Sequence, residues 1–167
     1  MDITLEPVTA ANEQAFRSLY NLYLHDLAQY QHDVGVDEQG CFDANVVDEL
    51  KAHADQGVAL SLIRSNGRIA GLLVHSTPPL VKPGNDLHLH ELFVLNQFRG
   101  SGVARAAARA LFTSHPGHYG LSVLASNTRA LAFWDRLLAD DAVGVERVSQ
   151  DGGLICYSFT TARRADA

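Results

Sequence analysis

Residues Leu87 to Phe112 read LHLHELFVLNQFRGSGVARAAARALF. The first half alternates between two kinds of side chain, as a β-strand with two different faces does. One predicted face carries Leu87, Leu89, Glu91, Phe93 and Leu95, and the other carries His88, His90, Leu92 and Val94. The second half passes through a short turn and two glycines into a helix rich in alanine. This stretch therefore predicts a strand, a glycine turn and a helix in immediate succession.

The glycine turn has the chemistry of an anion site. The first N–H groups of a helix have no partner inside it, and the helix dipole is positive at that end. Gly100 and Gly102 allow the backbone to approach an anion without an intervening Cβ, and Arg99 adds a positive charge. Together these features predict a pyrophosphate site, although the two glycines could instead serve only a tight turn.

Two other nucleotide motifs do not fit the chain. A P-loop is excluded because no G-x-x-x-x-G-K-S/T occurs in the sequence. A dinucleotide-binding fingerprint requires a third small residue at position 105, where Arg105 stands.

The turn resembles R/Q-x-x-G-x-G/A, the acyl-CoA-binding motif of the GNAT N-acetyltransferase superfamily. The matching residues run from Arg99 to Ala104 (RGSGVA) and follow the strand segment Leu92-Phe93-Val94. A second segment, NTRALAFW from Asn127 to Trp134, is similar to the N-x-x-A-x-x-F-Y helix of that family. The two motifs stand in the family's order and separation.

The resemblance implies an α/β fold with a mixed, mostly antiparallel twisted sheet and helices on both faces. The two central strands, expected at Leu87–Leu95 and Tyr119–Ala125, splay apart in this family, and the cofactor lies in the gap. Elsewhere, Asn66-Gly67 between two apolar runs predicts a β-hairpin. We expect a single domain over residues 1–161, followed by a loose tail at 162–167.

The implied reaction is transfer of an acetyl group from acetyl-CoA to the primary amine of a small, cationic acceptor by direct attack, without a metal. The N–H groups from Gly100 to Ala104 would hold the pyrophosphate, and exposed strand backbone would pair with the peptide-like pantetheine arm. Asn127 and Phe133 would contact that arm, although Asn127 could simply cap its helix and Phe133 could be core. The predicted cofactor residues are Leu92, Phe93, Val94, Arg99, Gly100, Ser101, Gly102, Val103, Ala104, Asn127 and Phe133.

Three neighbouring side chains are candidates for the base that takes the proton of the amine. His88 and His90 have a suitable pKa, and a similar His-x-His pair is found in arylalkylamine N-acetyltransferases. Glu91 is favoured because a carboxylate also attracts a cationic amine, but it faces the other way unless a β-bulge interrupts the strand.

The second motif departs from the family at one position. Trp134 stands where the family has the Tyr that protonates the departing thiolate, and an indole N–H is not a useful acid. Tyr157 or Tyr119 could substitute, or the thiolate could leave unaided, because a thiol pKa of about 8.5 makes this tolerable near neutral pH.

The acceptor site is predicted at His25, Asp26 and Trp134, although a His-Asp pair on a helix surface is often only solvated. An aromatic stripe along the first helix ends in tyrosines that could line a pocket. The segment from Ser18 to Leu50 contains no Lys or Arg. Its acidic residues could attract a cationic amine or simply form a solvated surface: Asp26, Asp33, Asp37, Glu38, Asp43, Asp48 and Glu49.

Two other functions fit parts of the sequence. A non-catalytic acyl-CoA-binding or regulatory module on the same fold is suggested by Trp134. A metal site on His88, His90 and Glu91, with His75 or His118 added, has plausible ligand spacing. The metal hypothesis is disfavoured because it explains neither the glycine turn nor the Asn127 helix.

Composition narrows the partners of the protein. The chain of 167 residues is 47% hydrophobic, 19% charged and has a net charge of −6, without a basic run for binding nucleic acid. Cys41 and Cys156 have no partner motif, and we expect neither a secretory signal nor a membrane-spanning segment. We expect a cytoplasmic protein, and a homodimer is compatible with the implied fold.

Overall fold

A computed structural model of the protein describes residues 1–31, 35–42 and 45–161. The expected tail at 162–167 and two members of the acidic segment, Asp33 and Asp43, lie outside these residues. The helices and strands, in chain order, are β1 (Ile3–Pro7), α1 (Glu13–Ala28), α2 (Val46–Ala52), β2 (Val58–Ser65), β3 (Arg68–Ser76), β4 (Leu87–Val94), α3 (Val103–Ser114), β5 (His118–Leu124), α4 (Thr128–Asp141), β6 (Ala142–Gln150) and β7 (Leu154–Thr161).

The strands form one sheet in the order β1-β2-β3-β4-β5-β7-β6. Every neighbouring pair is antiparallel except β4 and β5, which are parallel. The parallel pairing joins only Leu87–Leu89 to Tyr119–Leu121, so the two strands separate beyond Leu89. The mixed, mostly antiparallel sheet with splayed central strands is therefore confirmed.

Helices cover both faces of the sheet. Phe16 of α1 and Val47 of α2 pack on Leu62, Leu72 and Phe93 on one face. On the other face, α3 and α4 pack on a second cluster that contains Leu73, Leu87, Leu89, Val103, Ala107, Leu111, Leu137 and Tyr119. The small side chains of α3 allow its backbone to lie close to the sheet.

Strand β4 contains the bulge on which the choice of base depends. Val74 lies opposite Glu91 and His75 opposite Leu89, so His90 is an extra residue in β4. The simple alternation along this strand therefore does not hold, and the alternative with a β-bulge is the one observed. Leu92 packs with Leu87 and Leu89 on the α3 face, whereas Glu91 contacts α1. The bulge thus turns Glu91 to the same face as His88.

The β2–β3 turn follows the sequence prediction. Asn66 and Gly67 have φ angles of 49° and 76°, which a tight hairpin turn requires and which both residues tolerate. Among the described helices, none has the length and apolar character needed to cross a bilayer.

Candidate active site

A cleft of about 560 Å³ lies beside the part of β4 that has separated from β5. Its walls come from the end of α1, the second half of β4, the glycine turn with the start of α3, and the inner face of α4. Tyr23 and Tyr30 both line this cleft, as their position in the aromatic stripe suggested.

The glycine turn forms one end of the cleft. Gly100 and Gly102 have φ angles of 76° and 88°, where L side chains are strained, and Gly102 immediately precedes α3. Among the described residues, no hydrogen bond of ordinary geometry has an N–H group of residues 100–105 as its donor. Ser101 does not line the cleft, and its Oγ donates to the Phe98 carbonyl at 2.6 Å. The turn therefore presents a row of free N–H groups at a helix N-terminus, the arrangement that binds phosphates.

The strand wall of the cleft also offers free backbone groups. The Leu95 N–H donates to the Ala70 carbonyl on β3 at 2.9 Å. Because N–H and C=O directions alternate along a strand, the N–H and C=O groups of Leu92 and the N–H group of Val94 point to the side that β5 has left, whereas the Val94 carbonyl already accepts from Arg99. A peptide-like arm could pair with them as an added strand does.

The charged side chains of the cleft wall are mostly basic. Asp26 is its one acidic residue among those described, against four arginines: Arg99, Arg105, Arg129 and Arg136. Sequence reasoning identified only Arg99. The signal for the others was available, because Arg105 lies in the first turn of α3 and Arg129 in the first turn of α4, so both stand at helix N-termini beside the cleft. In a chain with a net charge of −6, this local excess of positive charge favours an anionic ligand.

Arg99 is already engaged by protein groups. Its Nε donates to the Val94 carbonyl at 2.8 Å, its guanidinium pairs with Asp26, and its charge lies 5.6 Å from the centre of the Phe93 ring. Arg99 thus ties the turn to β4 and α1. Direct contact between Arg99 and a phosphate stays a prediction.

The second motif places its residues along α4. Asn127 caps this helix, since its Oδ1 accepts from the Ala130 N–H at 3.0 Å, and it also lines the cleft. Phe133 lines the cleft and packs edge-on against Trp134, with ring centres 5.0 Å apart. Trp134 is only 6% exposed, although it contributes to the cleft wall.

Glu91 is held by the tyrosines of α1. The Tyr23 hydroxyl donates to Oε2 of Glu91, and the Tyr20 hydroxyl lies 3.5 Å from Oε1. Burial raises the pKa of Glu91 to about 7, against the opposing effect of these two hydrogen bonds. A carboxylate with this pKa can accept a proton near neutral pH.

The two histidines lie beside Glu91 along β4. Their ring centres are 4.7 Å apart, and His90 Nε2 is 2.8 Å from the Ser76 hydroxyl. The pKa of His88 is lowered to about 4, chiefly by burial and further by the charges of the nearby His90 and Lys82. Burial also lowers the pKa of His90. His88 packs above Gly120, where an added Cβ would lie 3.0 Å from its Nδ1. Both rings are therefore neutral at pH 7.

The predicted acceptor residues are not gathered at one place. His25 is exposed, packs against Phe42 at 6.0 Å between ring centres and does not line the cleft. Asp26 lines the cleft in its ion pair with Arg99. Another member of the acidic segment, Asp48, pairs with Arg17, so part of the segment's negative charge is compensated.

The two histidines that could complete the alternative metal site contact other residues instead. His118 contacts the hydroxyls of Thr160 and Ser158, and His75 packs against His115 at 5.3 Å between ring centres. Within the described ranges, no three His, Cys, Asp or Glu side chains converge as metal ligands do.

Comparison with known proteins defines the class. The family model of the acetyltransferase (GNAT) family matches residues 16–139. An acetyltransferase from Thermus thermophilus is similar in structure, with a TM-score of 0.67, 18% identity and coverage of 97% of this chain and 98% of that one. No curated protein matches the chain significantly.

Two further solved structures are similar at the level of the fold. One, described as histone acetyltransferase HPA2 and related acetyltransferase from Corynebacterium glutamicum, has a TM-score of 0.66, 16% identity and coverage of 99% of this chain and 100% of that one. The other, ribosomal-protein-alanine N-acetyltransferase from Brucella melitensis, has a TM-score of 0.60, 17% identity and coverage of 97% and 100%.

The matching family and the fold are those of acyl-CoA-dependent N-acetyltransferases. This chain belongs to the GNAT acetyltransferase family, whose model matches most of its length.

Proposed function

We propose that the protein transfers an acetyl group from acetyl-CoA to the primary amine of a small acceptor by direct attack, with Glu91 as the general base. The observation that carries this proposal is the position of Glu91. It is a half-buried carboxylate whose pKa is raised to about 7, and it accepts a hydrogen bond from a tyrosine that lines the cleft.

The residues of the cleft fit the chemistry of CoA. An anion at the glycine turn meets unpaired N–H groups and a helix N-terminus, and an added Cβ at Gly100 would have no heavy atom within 4 Å, so the approach is open. Leu92 and Val94 would hold the pantetheine arm through backbone pairing, with Phe93, whose backbone faces β3, between them and Phe133 packed against the arm. Gly102, Val103 and Ala104 would complete the pyrophosphate site. When bound there, acetyl-CoA supplies the activated acetyl group.

The protein groups then have separate tasks in the reaction. An amine attacks only when neutral, so Glu91 takes its proton through a water molecule. An N–H group on the open edge of β4, at Leu92 or Val94, stabilises the negative charge that develops on the acyl oxygen. His88 and His90, being neutral, can donate or accept a hydrogen bond to the acceptor without repelling a cation.

The acceptor is proposed to be a small amine that arrives as a cation. Support comes from Glu91, whose carboxylate attracts a positive charge when ionised, and from the acidic segment between Ser18 and Leu50. His25, Asp26 and Trp134 remain proposed acceptor contacts. The two free cysteines, Cys41 and Cys156, favour a cytoplasmic setting in which acetyl-CoA is available.

The test is acetyl transfer to a panel of primary amines, followed by release of free thiol. Turnover of at least one amine, with kcat/KM rising through pH 7, supports the proposal. The alternative is a non-catalytic acyl-CoA-binding module. Calorimetric binding of CoA without turnover of any amine would favour that alternative and contradict the proposed function.

A further inference from the structure

Trp134 cannot supply the proton that a departing thiolate needs. Its indole N–H is not an acid near neutral pH, and the side chain is only 6% exposed. The tyrosines that the sequence offered as substitutes are engaged elsewhere. The Tyr119 hydroxyl donates to the His115 carbonyl at 2.6 Å, and the Tyr157 hydroxyl donates to Asp135 at 2.8 Å. Neither belongs to the described wall of the cleft.

Tyr23 is the tyrosine that joins the cleft to the base. It lines the cleft, its ring centre lies 5.9 Å from that of Phe93, and its hydroxyl donates to Glu91. Glu91 is not part of the described cleft wall, whereas Tyr23 lines the cleft and contacts Glu91 through its hydroxyl.

Tyr23 also keeps its proton. Burial and the nearby Glu91 carboxylate raise the pKa of its hydroxyl well above the ordinary value for tyrosine. A neutral phenol can donate a hydrogen bond to developing thiolate charge, whereas a phenolate would repel it. Tyr20, with its ring centre 5.4 Å from that of Tyr23 in an edge-on contact, fixes the ring from the side.

We propose that Tyr23 is the general acid of the reaction and that Glu91 returns the proton it loses; this inference rests on the proposed function. As the new C–N bond forms and the C–S bond breaks, Tyr23 gives its proton to the sulfur. Glu91, which has taken a proton from the amine through water, passes that proton to the Tyr23 oxygen. The net change is transfer of one proton from nitrogen to sulfur, and both side chains return to their starting states.

The experiment compares Tyr23→Phe with Tyr30→Phe, a second tyrosine of the cleft wall. The first readout is the pKa of the thiol of bound CoA, which is measured from the ultraviolet absorbance of the thiolate as the pH is raised. The thiol is titrated in the Glu91→Gln background, because ionised Glu91 holds the single Tyr23 O–H. There, loss of the Tyr23 donor raises this pKa by about one, whereas Tyr30→Phe leaves it unchanged. The second readout is kcat, which falls about 10- to 100-fold in Tyr23→Phe, with CoA affinity retained.

Two further variants sharpen the test. Glu91→Gln loses turnover but keeps the low pKa of the bound thiol, because the Tyr23 hydroxyl is still present. If Tyr23→Phe does not fold, placing 3-fluorotyrosine at position 23 provides a more acidic donor and lowers the pKa of the bound thiol further.

The outcomes separate the two proposals. An unchanged thiol pKa and unchanged kcat in Tyr23→Phe, in an enzyme that still transfers acetyl groups, overturn the role of Tyr23 and leave the proposed function standing. If the wild-type protein binds no CoA, both proposals fail.

Discussion

Asp26 of α1 forms an ion pair with Arg99, the first residue of the glycine motif. The two side chains are 27% and 25% exposed, so the pair is partly screened by solvent. The same guanidinium donates to the Val94 carbonyl, so one arginine connects α1, β4 and the turn. Asp26 therefore holds a group of the cofactor cleft in position, whether or not it also contacts the acceptor.

This relationship predicts the effect of Asp26→Asn. Removing the one described acid of the cleft wall leaves its arginines less compensated, so the affinity for CoA rises about threefold at low salt. The free energy of unfolding falls by no more than about 1 kcal/mol, as is typical of partly exposed pairs. Calorimetric titration with CoA measures the first effect and urea unfolding the second. Asp48→Asn, which removes an acid paired with Arg17, is the control. An increase in the amine KM with unchanged CoA affinity would instead assign Asp26 to the acceptor.

The identity of the base can be read from the pH profile. Because Glu91 acts in its ionised form and has a pKa of about 7, kcat/KM rises with pH below 7 and levels off above it. Glu91→Gln removes this limb and lowers kcat about 100- to 1000-fold, with CoA affinity unchanged. Exposed Glu49→Gln retains the wild-type profile.

The same pH profile of kcat/KM shows whether Glu91 or His88 is the base. The pKa of His88 is about 4, so a profile governed by this ring is already flat at pH 6. A limb near pH 7 that survives in Glu91→Gln would exclude Glu91 as the base.

Two arginines of α3, one turn apart, test the electrostatics of the cleft. Arg105 and Arg109 each pair with an aspartate near the end of α4, but only Arg105 lines the cleft. We expect Arg105→Ala to weaken CoA binding about 5- to 10-fold, most strongly at low salt, because a charge near the pyrophosphate is lost. Arg109→Ala should bind CoA as the wild type does. An equal loss of CoA affinity in the two variants would contradict this expectation and indicate a general effect of net charge.

Gly100 and Gly67 form a second matched pair. Both have φ angles of 76°, and an added Cβ at either position has no heavy atom within 4 Å. Alanine at each position therefore costs a similar backbone strain of about 1 kcal/mol, measured by urea unfolding. Only Gly100→Ala should weaken CoA binding, by about tenfold or more, because its Cβ would enter the space proposed for the pyrophosphate. Equal CoA affinity in the two variants would show that the turn is not the anion site.

The parts of the fold that sequence predicted correctly are determined locally. The helix that begins at Val103 follows directly from a Gly residue with positive φ and a run of alanines. The turn at Asn66 and Gly67 follows from two residues that tolerate positive φ. In each case the residues that determine the conformation are next to one another in the chain, so alternation, propensity and turn chemistry are sufficient.

The parts of the site that the sequence missed or left open depend on distant partners. The bulge at His90 arises from the pairing of β4 with β3, and no residue of β4 alone requires it. Likewise, the sequence showed Arg99 as a free charge, because its partner Asp26 lies 73 positions away. Tyr23 was recognised only as a pocket residue, since its link to Glu91 spans 68 positions.

The central claim is that the N–H groups of the glycine turn bind the diphosphate of CoA. Titration of the ¹⁵N-labelled protein with CoA, followed by ¹H–¹⁵N NMR, measures these groups one by one. We predict that the N–H signals of Gly100 to Ala104 shift downfield in a saturable manner, as new hydrogen bonds to phosphate form, while the Asn66-Gly67 hairpin remains unchanged. Binding of CoA without any shift at these residues would contradict the account.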